Sequence, residues 1–168
     1  MELNRATSLN IFCIEDSYAD QHLISLFIKQ HSQPTSIAFA DEGQQALDYL
    51  QGLSQNSISL LPDFIICDLN LPVLNGKEVI SGIRKLSTFD ATPIFALSSS
   101  NSPKEIREVE GFPYTYFFRK PDTLNDFEKV LCQLLDAWDL HQRCRARKQA
   151  PVIPPQSIAD DLLRSPDG

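Results

Sequence analysis

The chain has 168 residues, 42% of them hydrophobic, and a formal charge of −7 at neutral pH. That length suits one ordinary globular domain and is short for two, and the acidic balance argues against a nucleic-acid-binding surface. The opening MELNRATSLN lacks the apolar stretch of a secretory leader, and no apolar run approaches the length of a membrane span.

In chain order, five short apolar runs alternate with five helical patterns. LNIFCI (9–14) precedes a helix with Leu23, Ile24, Phe27 and Ile28 on one stripe. SIAFA (36–40) precedes a helix carrying Ala46, Leu47 and Leu50. FIICD (64–68) is apolar on both faces until its final acid, and breaks through Asn70, Pro72 and Gly76 before a helix with Val79, Ile80, Ile83 and Leu86. PIFAL (93–97) precedes a short polar helix with Ile106 and Val109. YTYFF (114–118) precedes the strongest helical pattern, from Leu124 through Phe127, Val130, Leu131, Leu134 and Leu135 to Trp138, with Thr123 and Asp126 spaced as a capping box. Strict alternation predicts a parallel sheet with helices on both faces, and five units fit the flavodoxin-like doubly wound order 2-1-3-4-5.

The four cysteines, Cys13, Cys67, Cys132 and Cys144, contain no C-x-x-C pair and read as reduced, mostly packing residues of a cytoplasmic protein, with zinc or a disulfide as the alternative. His22, His31 and His141 lack metal-ligand spacing and read as surface or half-buried helix residues. Asp41, Asp63 and Asp90 fall in loops, where capping or solvation accounts for them. Residues 1–140 hold the whole ordered pattern. Residues 141–168 form a basic and proline-rich extension, HQRCRARKQ followed by PVIPPQS, too short for an effector domain. The basic run reads best as cations at the negative end of the last helix.

In open parallel sheets, ligands bind beyond the carboxyl ends of the strands, near the switch point between strands 1 and 3. Strand 1 ends in Glu15-Asp16, strand 3 in Asp68, strand 4 in Ser98-Ser99-Ser100 and strand 5 in Arg119-Lys120-Pro121. One such acid is usually a helix cap or a solvated loop residue; acids at the ends of adjacent strands are better explained as a site. Unit charges ~4 Å apart repel by about 4 kcal/mol at an effective dielectric near 20, so three clustered carboxylates need a cation. All-oxygen ligands with room for water point to Mg²⁺, which commonly bridges to phosphoryl oxygens. Lys120 supplies a second positive charge, and a carboxylate there can act as nucleophile. The chemistry so inferred is Mg²⁺-assisted phosphoryl transfer onto a side chain.

IEDS, CDLNLPVLNG, ALSSS and FFRKP, in that order and spacing across about residues 9–140, resemble the receiver domain of bacterial two-component response regulators, the CheY-like family. The resemblance implies that Asp68 is the phosphoacceptor, served by a sensor histidine kinase, and that Glu15 and Asp16 hold Mg²⁺ with Asp68 and the Asn70 backbone carbonyl. It implies that Ser98 takes the hydroxyl switch position, Lys120 the phosphate-binding lysine position with a cis peptide bond to Pro121, and Phe117 the aromatic switch position. It further implies a non-enzymatic signalling protein that catalyses only its own phosphorylation and dephosphorylation. Many receivers dimerise through helix 4, strand 5 and helix 5. The Glu-Asp order of the acid pair, the long QGLSQNSISLLP stretch and the late tryptophan resemble stand-alone receivers serving bacterial phytochromes. Arg119, in place of an apolar residue, and the polar fourth helix depart from the pattern. A haloacid-dehalogenase-type phosphatase would need a second acid where Asn70 stands, and a flavodoxin-like flavin site would be repelled by Glu15-Asp16. The remaining alternative is a receiver-shaped scaffold that binds partners without phosphorylation.

Overall fold

The computed structural model describes residues 8–31, 35–56 and 60–149. The expectations for residues 150–168 lie outside them. β1 (Leu9–Ile14), α1 (Tyr18–His31), β2 (Thr35–Ala40), α2 (Gly43–Asn56), β3 (Phe64–Asp68), α3 (Gly76–Arg84), β4 (Ile94–Ser98), α4 (Pro103–Glu110), β5 (Thr115–Arg119) and α5 (Leu124–Gln149) follow in strict alternation, with a short 3-10 turn at Ser87–Phe89. The strands pair in the order β2-β1-β3-β4-β5, all parallel, as the alternation predicts.

The period-2 pleat sorts the strand residues onto two cores. Phe12, Ile14, Ile65, Cys67, Ile94 and Ala96 pack with Ala46 and Leu50 of α2, Val79, Ile80 and Ile83 of α3, and Val109 of α4. Ile11, Cys13, Phe64, Ile66, Phe95 and Leu97 pack with Ile24 and Ile28 of α1 and Phe127, Leu131 and Leu134 of α5. Every residue of β3 and β4 is buried, which explains why both read as unbroken apolar runs. Cys13 and Cys67 sit in opposite cores, so they share neither a disulfide nor a metal; burial raises both thiol pKa values and keeps them protonated.

Local chemistry sets the joins. Asn75 caps α3 reciprocally with Glu78, a capping box the sequence reading did not single out. Thr123 accepts from the Asp126 amide at 3.3 Å, as its spacing predicts, and its hydroxyl donates to the Asp126 carboxylate at 2.7 Å. Three expectations need correction. The Lys120–Pro121 bond is trans, with no cis peptide among the described residues. Trans is the lower state of an X–Pro bond by about 0.5–1 kcal/mol, and Lys120 already places both its amide and its ammonium from it. The 140/141 boundary falls inside α5, which runs on to Gln149. His141 is buried, not half-exposed: its ring meets Tyr114 and Tyr116 edge-on, and Nδ1 lies 3.1 Å from the Tyr116 hydroxyl.

The loop after β3 is where backbone conformation matters most. A Cβ on Gly76 would fall well inside van der Waals distance of the Asp68 carbonyl oxygen and 2.6 Å from Leu69 Cα, so α3 starts against bare β3 backbone. Three residues earlier, Val73 is fully exposed with φ +64°, and the Leu74 amide donates to the Pro72 carbonyl at 2.7 Å around it. This γ-turn places a β-branched residue in the left-handed region, at a cost of about 1–2 kcal/mol. We therefore expect opposite effects from two neighbouring substitutions. Urea denaturation should show Gly76→Ala losing about 1–3 kcal/mol to overpacking, whereas Val73→Asn, which removes no packing, should gain about 1 kcal/mol.

Candidate phosphoacceptor site

The carboxyl ends of β1, β3, β4 and β5 converge as the sequence predicts. Glu15 follows β1 directly, pinned by its amide to the Ala40 carbonyl (3.0 Å). Its side chain is 1% exposed and accepts from the Ser17 amide at 3.1 Å. Asp68, the last residue of β3, is 3% exposed; one carboxylate oxygen accepts from the Asn70 amide at 2.8 Å. The Lys120 amide donates to the Ser98 carbonyl at 2.7 Å, which carries the chain from β5 over the end of β4. From there the Lys120 ammonium reaches Asp68 at 2.5 Å, Glu15 at 2.8 Å and Asp20 at 2.7 Å.

Asp20 is a member of this cluster that motif reading missed. It sits four residues beyond Asp16, in the first turn of α1, and only helical winding brings it back over the strand end. The loop acid Asp41 also does more than solvate. It accepts from Gln21 at 2.7 Å and from the Tyr18 hydroxyl at 3.3 Å, while Gln21 donates to the Glu15 carbonyl at 2.6 Å, tying α1 to the acid loop.

Three carboxylates, Glu15, Asp20 and Asp68, thus meet one ammonium. Burial pushes the Glu15 carboxyl up to about 7, opposed by the Lys120 hydrogen bond and reinforced by the Asp68 charge. For Lys120, burial works against the charge, but the hydrogen bonds to Asp20, Asp68 and Glu15 outweigh it and raise the pKa. Oxygens of Glu15, Asp16 and Asp68 lie within 4.8 Å of one another, with Asp16 exposed and the other two buried. This hard-oxygen set with one open side fits a divalent cation that keeps part of its water shell.

Ser98 and Phe117 share one face of the sheet. Ser98, fully buried, ends β4; its hydroxyl donates to Glu105 of α4 at 3.2 Å and accepts from the Ser100 amide at 3.1 Å. Phe117 pairs in register with Ala96, two residues before Ser98, and is half-buried against the core under α3 and α4. The Asn70 side chain donates to Ser99 at 3.3 Å. Arg119 turns away from the cluster toward Asp122 (3.3 Å).

Residues 11–131 match the response regulator receiver domain. The chain belongs to that family. This receiver is 30% identical over 133 residues to the two-component response regulator ARR17 of Arabidopsis thaliana, covering 76% of this chain and 86% of ARR17. Its fold matches the phosphorylated cyanobacterial phytochrome response regulator RcpA with TM-score 0.70 and 26% identity, over 78% of this chain and 94% of RcpA. The Mn²⁺-bound form of response regulator Rcp1 matches in fold with TM-score 0.68 and 24% identity, over 77% and 94% of the two chains. The phytochrome-associated resemblance read from the sequence thus has counterparts among its relatives, and the receiver is a two-component signal-transduction module.

The elevated Glu15 pKa gives a signed expectation. The folded state holds that proton up to about 7, against an ordinary value of 4.5, so its contribution to stability is present below about 4.5 and lost as pH rises through 7. Glu15→Gln removes this loss. In urea denaturation of the metal-free protein, the variant should gain stability relative to wild type between pH 5 and pH 8. A difference independent of pH would show that burial does not govern this carboxyl.

Proposed function

We propose that this receiver accepts a phosphoryl group on Asp68 from a sensor histidine kinase and signals through protein–protein contacts. The observation that carries the reading is the Lys120 ammonium held on the Asp68 carboxylate at 2.5 Å, beside Glu15 and Asp16. An Asp68 oxygen attacks phosphorus, the phosphorus–nitrogen bond of the donor phosphohistidine breaks, and the imidazole leaves with the electron pair. Lys120, already within hydrogen-bonding reach, takes a phosphoryl oxygen and balances the charge that develops there. Glu15, Asp16 and Asp68, with the Asn70 carbonyl, would hold Mg²⁺, which neutralises phosphoryl oxygens when bound.

The same reading assigns the output. A phosphoryl group adds charge and strong acceptors beside β4. Ser98 turns toward it, and Phe117, on the same sheet face beyond the small Ala96, moves into the space released. The chain then acts without enzymatic turnover of another substrate, as a cytoplasmic receiver whose last helix, α5, runs on to Gln149. It pairs with a kinase of the phytochrome type and dimerises through α4, β5 and α5. Nucleic acid and membrane have no part in the reading: the charge is −7, and no helix among the described residues is long and apolar enough to cross a bilayer.

The phosphoacceptor is tested with acetyl phosphate as donor. Intact-mass measurement should find one added phosphate on the wild type with Mg²⁺ and none without it. Asp68→Asn should take none under either condition. Equal labelling of both proteins would remove Asp68 from the reaction, and a wild type that takes no phosphate from acetyl phosphate or a kinase would favour the unphosphorylated scaffold.

A further inference from the structure

The Ser98 hydroxyl carries one proton, and that proton is already in use. It points to Glu105 at 3.2 Å, while a lone pair of the same oxygen is taken by the Ser100 amide at 3.1 Å. A serine hydroxyl donates once. A phosphoryl oxygen on Asp68 and the Glu105 carboxylate therefore cannot both receive it. Resting on the phosphoacceptor reading above, we propose that Glu105 is a positioning residue that holds Ser98 in its unphosphorylated orientation, so that phosphorylation releases the first turn of α4.

What holds α4 makes this release local. The helix has eight residues, and Val109, near its C-terminal end, is the buried one. The same end is tied to α3 by the Lys77–Glu108 ion pair at 2.9 Å. The first turn has Pro103 at its start and a long Ser102 cap onto the Glu105 amide (3.4 Å). The Ser98–Glu105 bond links it directly to the end of β4, beside the relay from the Ser102 amide to Ser100 and from the Ser100 amide to Ser98. When Ser98 turns away, the Glu105 carboxylate, half-buried at the surface, passes into water without a desolvation cost. The first turn then loses its direct side-chain tie to the sheet while Val109 and Glu108 keep the helix attached. Glu105 thereby converts a rotation of one buried hydroxyl into a change on an exposed helix.

The competition has a sign. Removing the rival acceptor should ease the move of Ser98 toward phosphate, and a hydrogen bond to a charged group is strong enough for about a tenfold effect. Full-length Glu105→Ala, Glu105→Gln, Ser98→Ala and the Ser98→Ala/Glu105→Ala double variant test this in two arms. In the metal-free proteins, hydrogen exchange should quicken severalfold at the Ile106 and Arg107 amides in Glu105→Ala, stay near wild type in Glu105→Gln, which keeps an acceptor oxygen, and be unchanged at Val109. With Mg²⁺ and beryllofluoride, Glu105→Ala should bind the phosphate mimic about tenfold more tightly than wild type, and the gain should vanish in the Ser98→Ala background. Unchanged exchange in Glu105→Ala, or a gain in affinity that persists without the Ser98 hydroxyl, overturns the proposal. The exchange arm needs neither metal nor phosphate, so it reads the Ser98–Glu105 link even if the wild type takes no phosphate on Asp68, a result that would sink the phosphoacceptor reading alone.

Discussion

The structure turns on a single ammonium. Glu15 and Asp68 are buried carboxylates on neighbouring strands, an arrangement that is costly unless a cation sits between them. In the order β2-β1-β3-β4-β5, Lys120 starts two strand spacings of about 4.8 Å from Asp68 and three from Glu15. It bridges them because its amide is anchored on the Ser98 carbonyl and its long apolar stem crosses the end of β4. A compact ammonium can take Asp20, Glu15 and Asp68 together, whereas a planar guanidinium favours paired, coplanar acceptors. The neighbouring Arg119 cannot substitute, since the pleat sends it away toward Asp122.

Most of this arrangement was legible in the sequence because it depends on strand ends. Apolar runs that stop at an acid, a serine cluster or a lysine mark both the sheet and its functional edge, and the bounds of β1 and β3 agree with the pattern. The shifts elsewhere have local causes. Pro93 cannot donate to the ladder, so β4 begins at Ile94, although the Pro93 carbonyl still accepts from Ile65 at 2.9 Å. Tyr114 has φ +49°, which keeps it out of β5, while Arg119 stays in register with Ser98 and extends the strand by one. Asp20 and Glu105 were not legible. Each lies in the first turn of a helix, and its partner depends on how that helix is rotated and docked, which no spacing within a motif records. The length of α5 was hidden for a similar reason. HQRCRARKQ has no apolar stripe of its own, and its first turn is held by His141 packing against Tyr114, just before β5, and Tyr116 within it.

The two sides of β5 are held very differently. On one side Tyr116 and Phe118 pack on Phe95, with ring centroids 5.6 Å and 5.8 Å apart, and His141 of α5 closes over Tyr116. On the other, Phe117 lies half-buried next to the thinly packed α4. The strand is clamped from one face while a side chain on the opposite face has room to reorient. A ring flip at Phe117 therefore need not loosen β5, and the Lys120 amide bond at its end can stay in place.

Stiffness at the acid cluster and softness at α4 are linked requirements. Charges gathered at the edge must be positioned closely, and that demands the fully buried β3 and β4 with Gly76 letting α3 press on the backbone behind Asp68. A core packed that tightly does not deform gradually, so a local event must be relayed by a group with two discrete partners. On the phosphoacceptor reading proposed above, Ser98 would be such a group, buried at the boundary between the tight sheet and the loose helix. Its single proton makes the relay exclusive: the same hydroxyl cannot serve the helix and a newly placed acceptor beside Asp68 at once. The size of any response is then set by the difference between the bond Ser98 makes to that acceptor and the bond it gives up to Glu105, and by how weakly the first turn of α4 is otherwise held.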